Sequence, residues 1–457
     1  MMTKRLRVFG VCGFLVLGIL ACLTCTIAVA QEQGGEKKEL ARPLAALDLK
    51  DGDSIVFLGD SITHQRLYTQ YVEDYLYTRF PHLRLKIHNA GVGGARAIDA
   101  LDRFEKDVAA YKPKYVTILL GMNDGTYRAY DDTTFQTYQK DMTTLLDQIA
   151  GLGAVAIPMT PTMFDTRALH LRPKKDEQRI ESTRLYNSVL AYYGGWLQEM
   201  AYERGLGYVD MYTPLNQITI DERKKDPSFT LIADAVHPGP DGQVVMATAV
   251  IEDLGLPRQV SGTVLSRAES GKWSEKVSGG TIEGIQGGAD QVSFTLKAKA
   301  LPWVLPEAAQ LGSKLTKLGH RFSREALQVV GLSSGNYRLT IDGVDVGNYS
   351  NVELAKGIEL QGNSKTPQYQ QSLKVAELNS QRNQGPLGKL RAEWLKFQRY
   401  ARAKRANDTN ALPKLEEEIQ GMDERVAAAN AEAKAIEDQI FEVNQPLPRK
   451  YELTLVK

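Results

Sequence analysis

Ser54-Ile55-Val56-Phe57-Leu58-Gly59-Asp60-Ser61-Ile62-Thr63 is the stretch on which the reading of the fold turns. Its first five residues form a short apolar run closed by a glycine, the mark of a strand buried on both faces. From residue 63 to 80 the pattern becomes helical. Ser61 therefore stands at a strand-to-helix turn, at the carboxyl edge of a parallel sheet, where open α/β folds place their sites. Its amide belongs to a helix N-terminus, whose partial positive charge favours a developing anion. By itself, Gly59-Asp60-Ser61 reads equally as an ordinary helix N-cap.

Working outward, strand-like runs at 85–89, 115–120, 154–159 and 208–211 alternate with helical stretches at 97–110, 138–150 and 184–204. Such alternation predicts one α/β domain over residues 48–256, its parallel sheet covered by helices on both faces. Three more blocks follow elements of this domain. Asn89-Ala90-Gly91-Val92-Gly93-Gly94 lets backbone approach a reacting group closely, and it lacks both the dinucleotide-binding glycine spacing and the Walker lysine. Gly121-Met122-Asn123-Asp124 places an amide donor at a strand end, or else a turn that satisfies its own backbone. Asp234-Ala235-Val236-His237 sets a carboxylate three residues ahead of a histidine, close enough to reach its Nδ1 and leave Nε2 free to take a proton.

Taken as a set and in this order, the four blocks resemble the SGNH, or GDSL, hydrolase family over roughly residues 53–252. The resemblance implies a flavodoxin-like three-layer α/β/α sandwich with a five-stranded parallel sheet. It implies Ser61 as nucleophile, His237 as general base and Asp234 as its orienting carboxylate. It further implies an oxyanion hole built from the Ser61 and Gly94 amides and the Asn123 side chain, with no metal or organic cofactor. His64, Arg96 and Tyr127 lie near the blocks and are candidate substrate contacts, as are Arg66, Arg128 and Tyr130. These polar and aromatic groups suit a sugar better than a long acyl chain. The expected activity is that of an exported serine esterase cleaving a small acyl group, acetyl foremost, from a carbohydrate. A lipid-directed, lysophospholipase-like esterase is the alternative.

The ends of the chain carry other signals. Lys4, Arg5 and Arg7 precede an uncharged apolar run from Val8 to Leu23, and Ala28-Val29-Ala30 supplies small residues for cleavage before Gln31. Residues 1–30 read as a signal peptide, implying a periplasmic or secreted protein, with an uncleaved anchor as the other reading. All three cysteines, Cys12, Cys22 and Cys25, fall there, so the mature chain has neither disulfides nor cysteine chemistry. A formal net charge of +1 gives no sign of a nucleic-acid or anionic-membrane partner. Residues 31–47 read as a polar linker.

Beyond 256 the texture changes. Residues 291–299 and 336–342 alternate with period two, and Asp342-Gly343 is a hairpin signal. Residues 451–456 return to strand character, so 257–457 is expected to be a small β module. Within it, at about 370–445, Leu387, Leu390, Trp394, Phe397 and Ala401, and then Leu415, Ile419, Met422, Val426, Ala429, Ala433, Ile436 and Ile440, trace two apolar seams. They predict an antiparallel helical hairpin that packs on itself. A binding or scaffolding protein that docks a partner on this hairpin is the competing functional class.

Overall fold

The computed structural model describes residues 41–456, which form one compact unit. The signal-peptide reading of residues 1–30 lies outside the described residues, as does most of the 31–47 stretch. Where that stretch is described it is not a free linker. The Leu44 amide donates to Leu206 O and the Leu47 amide to Leu254 O, and both side chains pack against the core.

Four strands make the parallel sheet: β1 (Ser54–Gly59), β2 (Lys86–Gly91), β3 (Tyr115–Leu119) and β4 (Val155–Pro158), in the order β2-β1-β3-β4. Successive strand residues face opposite sides, and every residue of β1 and β3 is buried, so both faces are covered. The expected fifth strand at 208–211 is reduced to a single parallel bridge between Met159 and Val209. There is little chain for a longer ladder, because a helix begins at Tyr212. The sheet therefore has four strands and a bridge where five were expected.

In chain order the helices of this part are α1 (Ser61–His64), α2 (Leu67–Arg79), α3 (Ala97–Asp107), α4 (Asp132–Gly151), α5 (Thr166–His170), α6 (Glu177–Ser182), α7 (Tyr186–Arg204), α8 (Tyr212–Arg223) and α9 (Pro240–Asp253). Gly59 pairs with Gly91 on one side and Leu119 on the other, so β1, β2 and β3 end level. The loops that follow them converge as a result. A Cβ at Gly59 would stand 2.1 Å from Thr63 Oγ1, which is why the residue before this turn is glycine.

The β module is a sandwich. One sheet runs β11-β10-β13-β8-β7 and the other β12-β9-β5-β6, from β5 (Gln259–Arg267), β6 (Trp273–Ser278), β7 (Gly280–Gly287), β8 (Gln291–Ala298), β9 (Arg324–Val330), β10 (Asn336–Ile341), β11 (Val344–Ser350), β12 (Ile358–Glu359) and β13 (Arg449–Leu455). Asp342 and Gly343 both take positive φ, 50° and 79°, at the tight turn joining β10 to β11. Short helices α10 (Gln310–Leu315), α11 (Leu318–Phe322) and α12 (Asn351–Lys356) fill the connections. The inward faces of the two sheets share their own apolar core, with Val292, Phe294, Leu339 and Leu453 among it.

The helical region departs from the expected hairpin. It holds four helices, α13 (Pro367–Gln384), α14 (Pro386–Arg405), α15 (Leu412–Ile419) and α16 (Met422–Val443), between β12 and β13. They join the apolar core of the α/β domain: Leu387, Leu390, Trp394, Met422, Ala429, Ala433 and Ile440 are buried in the same cluster as the parallel sheet. The seam residues pack against the domain as well as each other, with Phe441 edge-on to Tyr77 and Asn430 bonded to Tyr111. The division at residue 256 thus separates stretches of sequence but not cores.

Helix α2 shows the consequence. Twelve of its thirteen residues are buried, polar ones included, because α9 covers one side and α13 another. Asn379 donates to Asp74, and Arg382 and Asn383 donate to Glu73. Asp107, at the end of α3, accepts from Arg103, from both terminal nitrogens of Arg391 on α14, and from His88. Burial holds the His88 pKa down at about 4, so the ring is neutral and its Nε2–H serves Asp107. Glu73, Asp74 and Asp107 of the α/β domain thus take hydrogen bonds from the C-terminal helices.

Candidate active site

Ser61 opens α1, and the carboxylate of Asp60 caps that turn by accepting from the Ile62 amide at 2.9 Å. Asp60 is buried, and loss of solvent raises its pKa to about 7. The Ser61 amide has no acceptor within the protein among the described residues, as first-turn amides commonly do not.

His237 reaches Ser61 from the other end of the domain, with Nε2 2.7 Å from Ser61 Oγ. Its Nδ1 lies 2.6 Å from Asp234 Oδ2. Asp234 Oδ1 in turn accepts from the Val236 and His237 amides at 2.9 and 2.6 Å, so the carboxylate is fixed by its own turn. Partial burial works against ionisation of Asp234, but the hydrogen bonds from His237 and these amides outweigh it and hold its pKa below the usual range. The same Asp234 contact, with Asp60 assisting, raises the His237 pKa. Between them Ala235 adopts φ 75°, unfavourable for a residue with a Cβ. Its amide donates to Ile232 O, and its carbonyl accepts from the Asp165 amide, which hold the turn in that shape.

The two middle blocks arrive from β2 and β3. Gly94 takes φ 68°, left-handed, and a Cβ there would meet open space. Its amide donates to no protein group among the described residues. Asn89 is structural: its side-chain amide donates to Thr63 O and Thr69 Oγ1 while its Oδ1 accepts from the Gly91 amide, locking β2 to α1 and α2. Asp124 is structural too, accepting from the amides of Ala97 and Gly121, with burial raising its pKa to about 7. Asn123 is held with one amide hydrogen on Ala95 O at 3.0 Å and its Oδ1 accepting from Tyr127 at 2.9 Å. Tyr127 and its neighbour Thr126 both take positive φ to make this contact.

The structure thus brings Ser61, His237 and Asp234 together, and orients Asn123 beside Asp60. Of the candidate substrate contacts, Tyr127 lines the cavity at His237. His64 does not: its Nδ1 faces Gly91 O, and burial lowers its pKa to about 4. Arg96 lies over a separate depression with Asp124 and Thr137. Arg66 is spent on His64 O and Asn383 O, and Arg128 on Thr134. Tyr130 lines a further apolar depression with Leu185 and Tyr192. The cavity at His237 has a volume of about 650 Å³, and a stretch that sequence reasoning passed over supplies its wall: Arg172, Asp176, Gln178, Arg179, Ser182 and Thr183. A charged, exposed-looking run gives no sequence signal that it folds over the site of His237, a residue 54 to 65 positions further along the chain. In chemical terms the arrangement offers a hydroxyl bonded to an imidazole bonded to a carboxylate, next to unpaired amides.

Residues 57–245 match the family described as GDSL-like lipase/acylhydrolase. Over 231 residues the chain is 25% identical to an acetylxylan esterase of Geobacillus stearothermophilus, a match covering 46% of this chain and 97% of that protein. Among solved structures, a gut microbial diltiazem-metabolizing enzyme, BT4096, superposes with a TM-score of 0.76 at 26% identity, covering 91% of this chain and all of that one. That likeness extends through the β module and the C-terminal helices.

Proposed function

We propose, from the premise that this chain belongs to the GDSL-like lipase/acylhydrolase family and is a carboxylic ester hydrolase, that it removes acetyl groups from a carbohydrate outside the cytoplasm. The observation that carries the reading is the hydrogen-bonded chain Ser61–His237–Asp234 at the carboxyl edge of the sheet. Ser61 Oγ attacks the ester carbonyl carbon while His237 Nε2 takes its proton. The Ser61 and Gly94 amides and the Asn123 side chain then receive the oxyanion. His237 passes the proton to the departing alcohol, and water, deprotonated by the same imidazole, releases acetate and restores Ser61. Asp234 keeps the imidazole in the tautomer this requires.

The substrate class rests on two supports. Most residues lining the cavity carry polar or charged side chains, among them Arg172, Asp176, Gln178, Arg179, Ser182 and Thr183, whereas a long acyl chain needs an apolar trough. One relative, matched over 46% of this chain, is an acetylxylan esterase. Purified protein is expected to hydrolyse p-nitrophenyl acetate faster than the octanoate, and Ser61→Ala to abolish both, with acetylated xylan tested next. A preference for octanoate would overturn the carbohydrate reading in favour of a lipid ester. Turnover that survives in Ser61→Ala would remove the catalytic assignment altogether.

A further inference from the structure

The C-terminal helix α14 touches the loop that carries Gly94, and it does so with two side chains that nothing in the reaction scheme employs. Gln398, itself buried, donates from Nε2 to Gly93 O at 2.9 Å. Arg402 donates from Nη2 to Gly94 O at 2.6 Å, and its Nε and Nη2 also grip Asp99 at 3.0 and 2.6 Å. The two bonds fall on successive carbonyls and so define two successive peptide planes. In a trans peptide the C=O and the following N–H point in opposite directions. A bond that draws Gly93 O toward α14 therefore turns the Gly94 N–H away from that helix, and this is the amide left without a partner among the described residues. Asp99 in turn accepts from the Arg96 amide at the start of α3, so Arg402 also fixes the spacing between the Gly94 loop and that helix. The Ala95 amide closes the turn onto Val92 O, and Gln398 and Arg402 hold the two carbonyls within it, where left-handed Gly94 carries no side chain to anchor it.

We infer that Gln398 and Arg402 are positioning residues for the oxyanion hole, so that the C-terminal helices form part of the catalytic apparatus. The inference rests on Gly94 acting as an oxyanion donor, as proposed above. Because an oxyanion exists in the transition state and not in the bound ester, misdirecting the Gly94 amide lowers turnover and leaves substrate binding alone.

The test uses the full chain with p-nitrophenyl acetate, and compares Gln398→Leu, Arg402→Ala and Arg402→Lys with Ser61→Ala. Reactive sites are counted by titration with a fluorophosphonate, and folding is followed by near-UV circular dichroism. Gln398→Leu and Arg402→Ala are expected to lower kcat per reactive site by about 10- to 100-fold with KM unchanged. Millimolar guanidinium is expected to restore part of the loss in Arg402→Ala and none in Gln398→Leu. Arg402→Lys, which keeps the charge and loses the planar fork, is expected to fall between. A merely structural role would reduce the reactive fraction and the melting temperature at unchanged kcat per site, and that result overturns the inference. Should Arg402→Ala fail to fold, Gln398→Leu and Arg402→Lys decide the matter by the same split. If Ser61→Ala is inactive while the α14 variants turn over normally, the positioning role falls and the catalytic reading stands. If Ser61→Ala remains active, the catalytic reading itself has failed.

Discussion

His237 lies between Ser61 and Asp234, and this placement sets the sign of the pH response. The imidazole must be neutral to take the serine proton, and its contact with Asp234 raises its pKa. The acid limb of kcat/KM is therefore expected to have its midpoint above the ordinary histidine value of about 6.5. Asp234→Asn removes the raising contact, so a pH–rate profile should show that limb moved to lower pH. The plateau should fall by about 10³- to 10⁴-fold, because the wrong tautomer is then favoured. An unshifted limb would mean that Asp234 does not govern His237. Linkage gives the same pair opposite effects on stability. The His237 contribution is full below its unfolded value and fades as pH rises through the higher folded one. That of Asp234 is full above the unfolded carboxylate value and fades as pH falls toward its depressed folded one. Asp234 and His237 were legible in the chain because a carboxylate three residues ahead of a histidine is a local pattern. Tyr127 was legible only as an aromatic residue near a motif. Its bond to Asn123 Oδ1 depends on two left-handed residues, and neither Thr126 nor Tyr127 advertises that conformation.

At the scale of elements, the most instructive is α2. Its sequence, LYTQYVEDYLYTR, has no apolar stripe, because it has no solvent face. The carboxylates of Glu73 and Asp74 lie buried against α13, and Asp107 against α14. Removing one partner of a buried ion pair leaves the other charged and desolvated. Arg391→Met is accordingly expected to destabilise the protein by about 3 kcal/mol, the low end of that class because Arg103 still reaches Asp107. Urea titration is expected to show a lower midpoint with an unchanged slope. A midpoint within error of the parent would show that Arg391 is replaceable. The apolar seams of the C-terminal helices were visible at their heptad spacing. What covers them was not, since spacing specifies a buried stripe and says nothing of which surface buries it.

At the scale of the whole molecule, one apolar core runs from the parallel sheet into the C-terminal helices, while the β sandwich keeps its own. A fragment ending at Leu256 would expose the faces of α2 and α3, strip Glu73 and Asp74 of their α13 partners, and leave Asp107 to Arg103 and His88 alone. Such a fragment is expected to lack a cooperative thermal transition by calorimetry. A transition like that of the full chain would instead show the α/β domain to be self-sufficient.

The strand-and-helix alternation, the loops that hold Ser61, Gly94, Asn123 and His237, and the reaction class were legible in the order of residues along the chain. The first two follow from neighbours within a few residues: an apolar run, a turn, a capped helix start, a carboxylate three places from a histidine; the reaction class is what the resemblance of the four blocks, taken as a set, implies. That the sheet stops at four strands, that residues 172–183 wall the cavity, and that α14 grips the loop of Gly94 emerged with the folded molecule. Those outcomes depend on contacts between residues up to about 300 positions apart. At such separations a side chain's partner is chosen by how whole surfaces pack and which buried charges remain to be matched, and no local pattern encodes that choice.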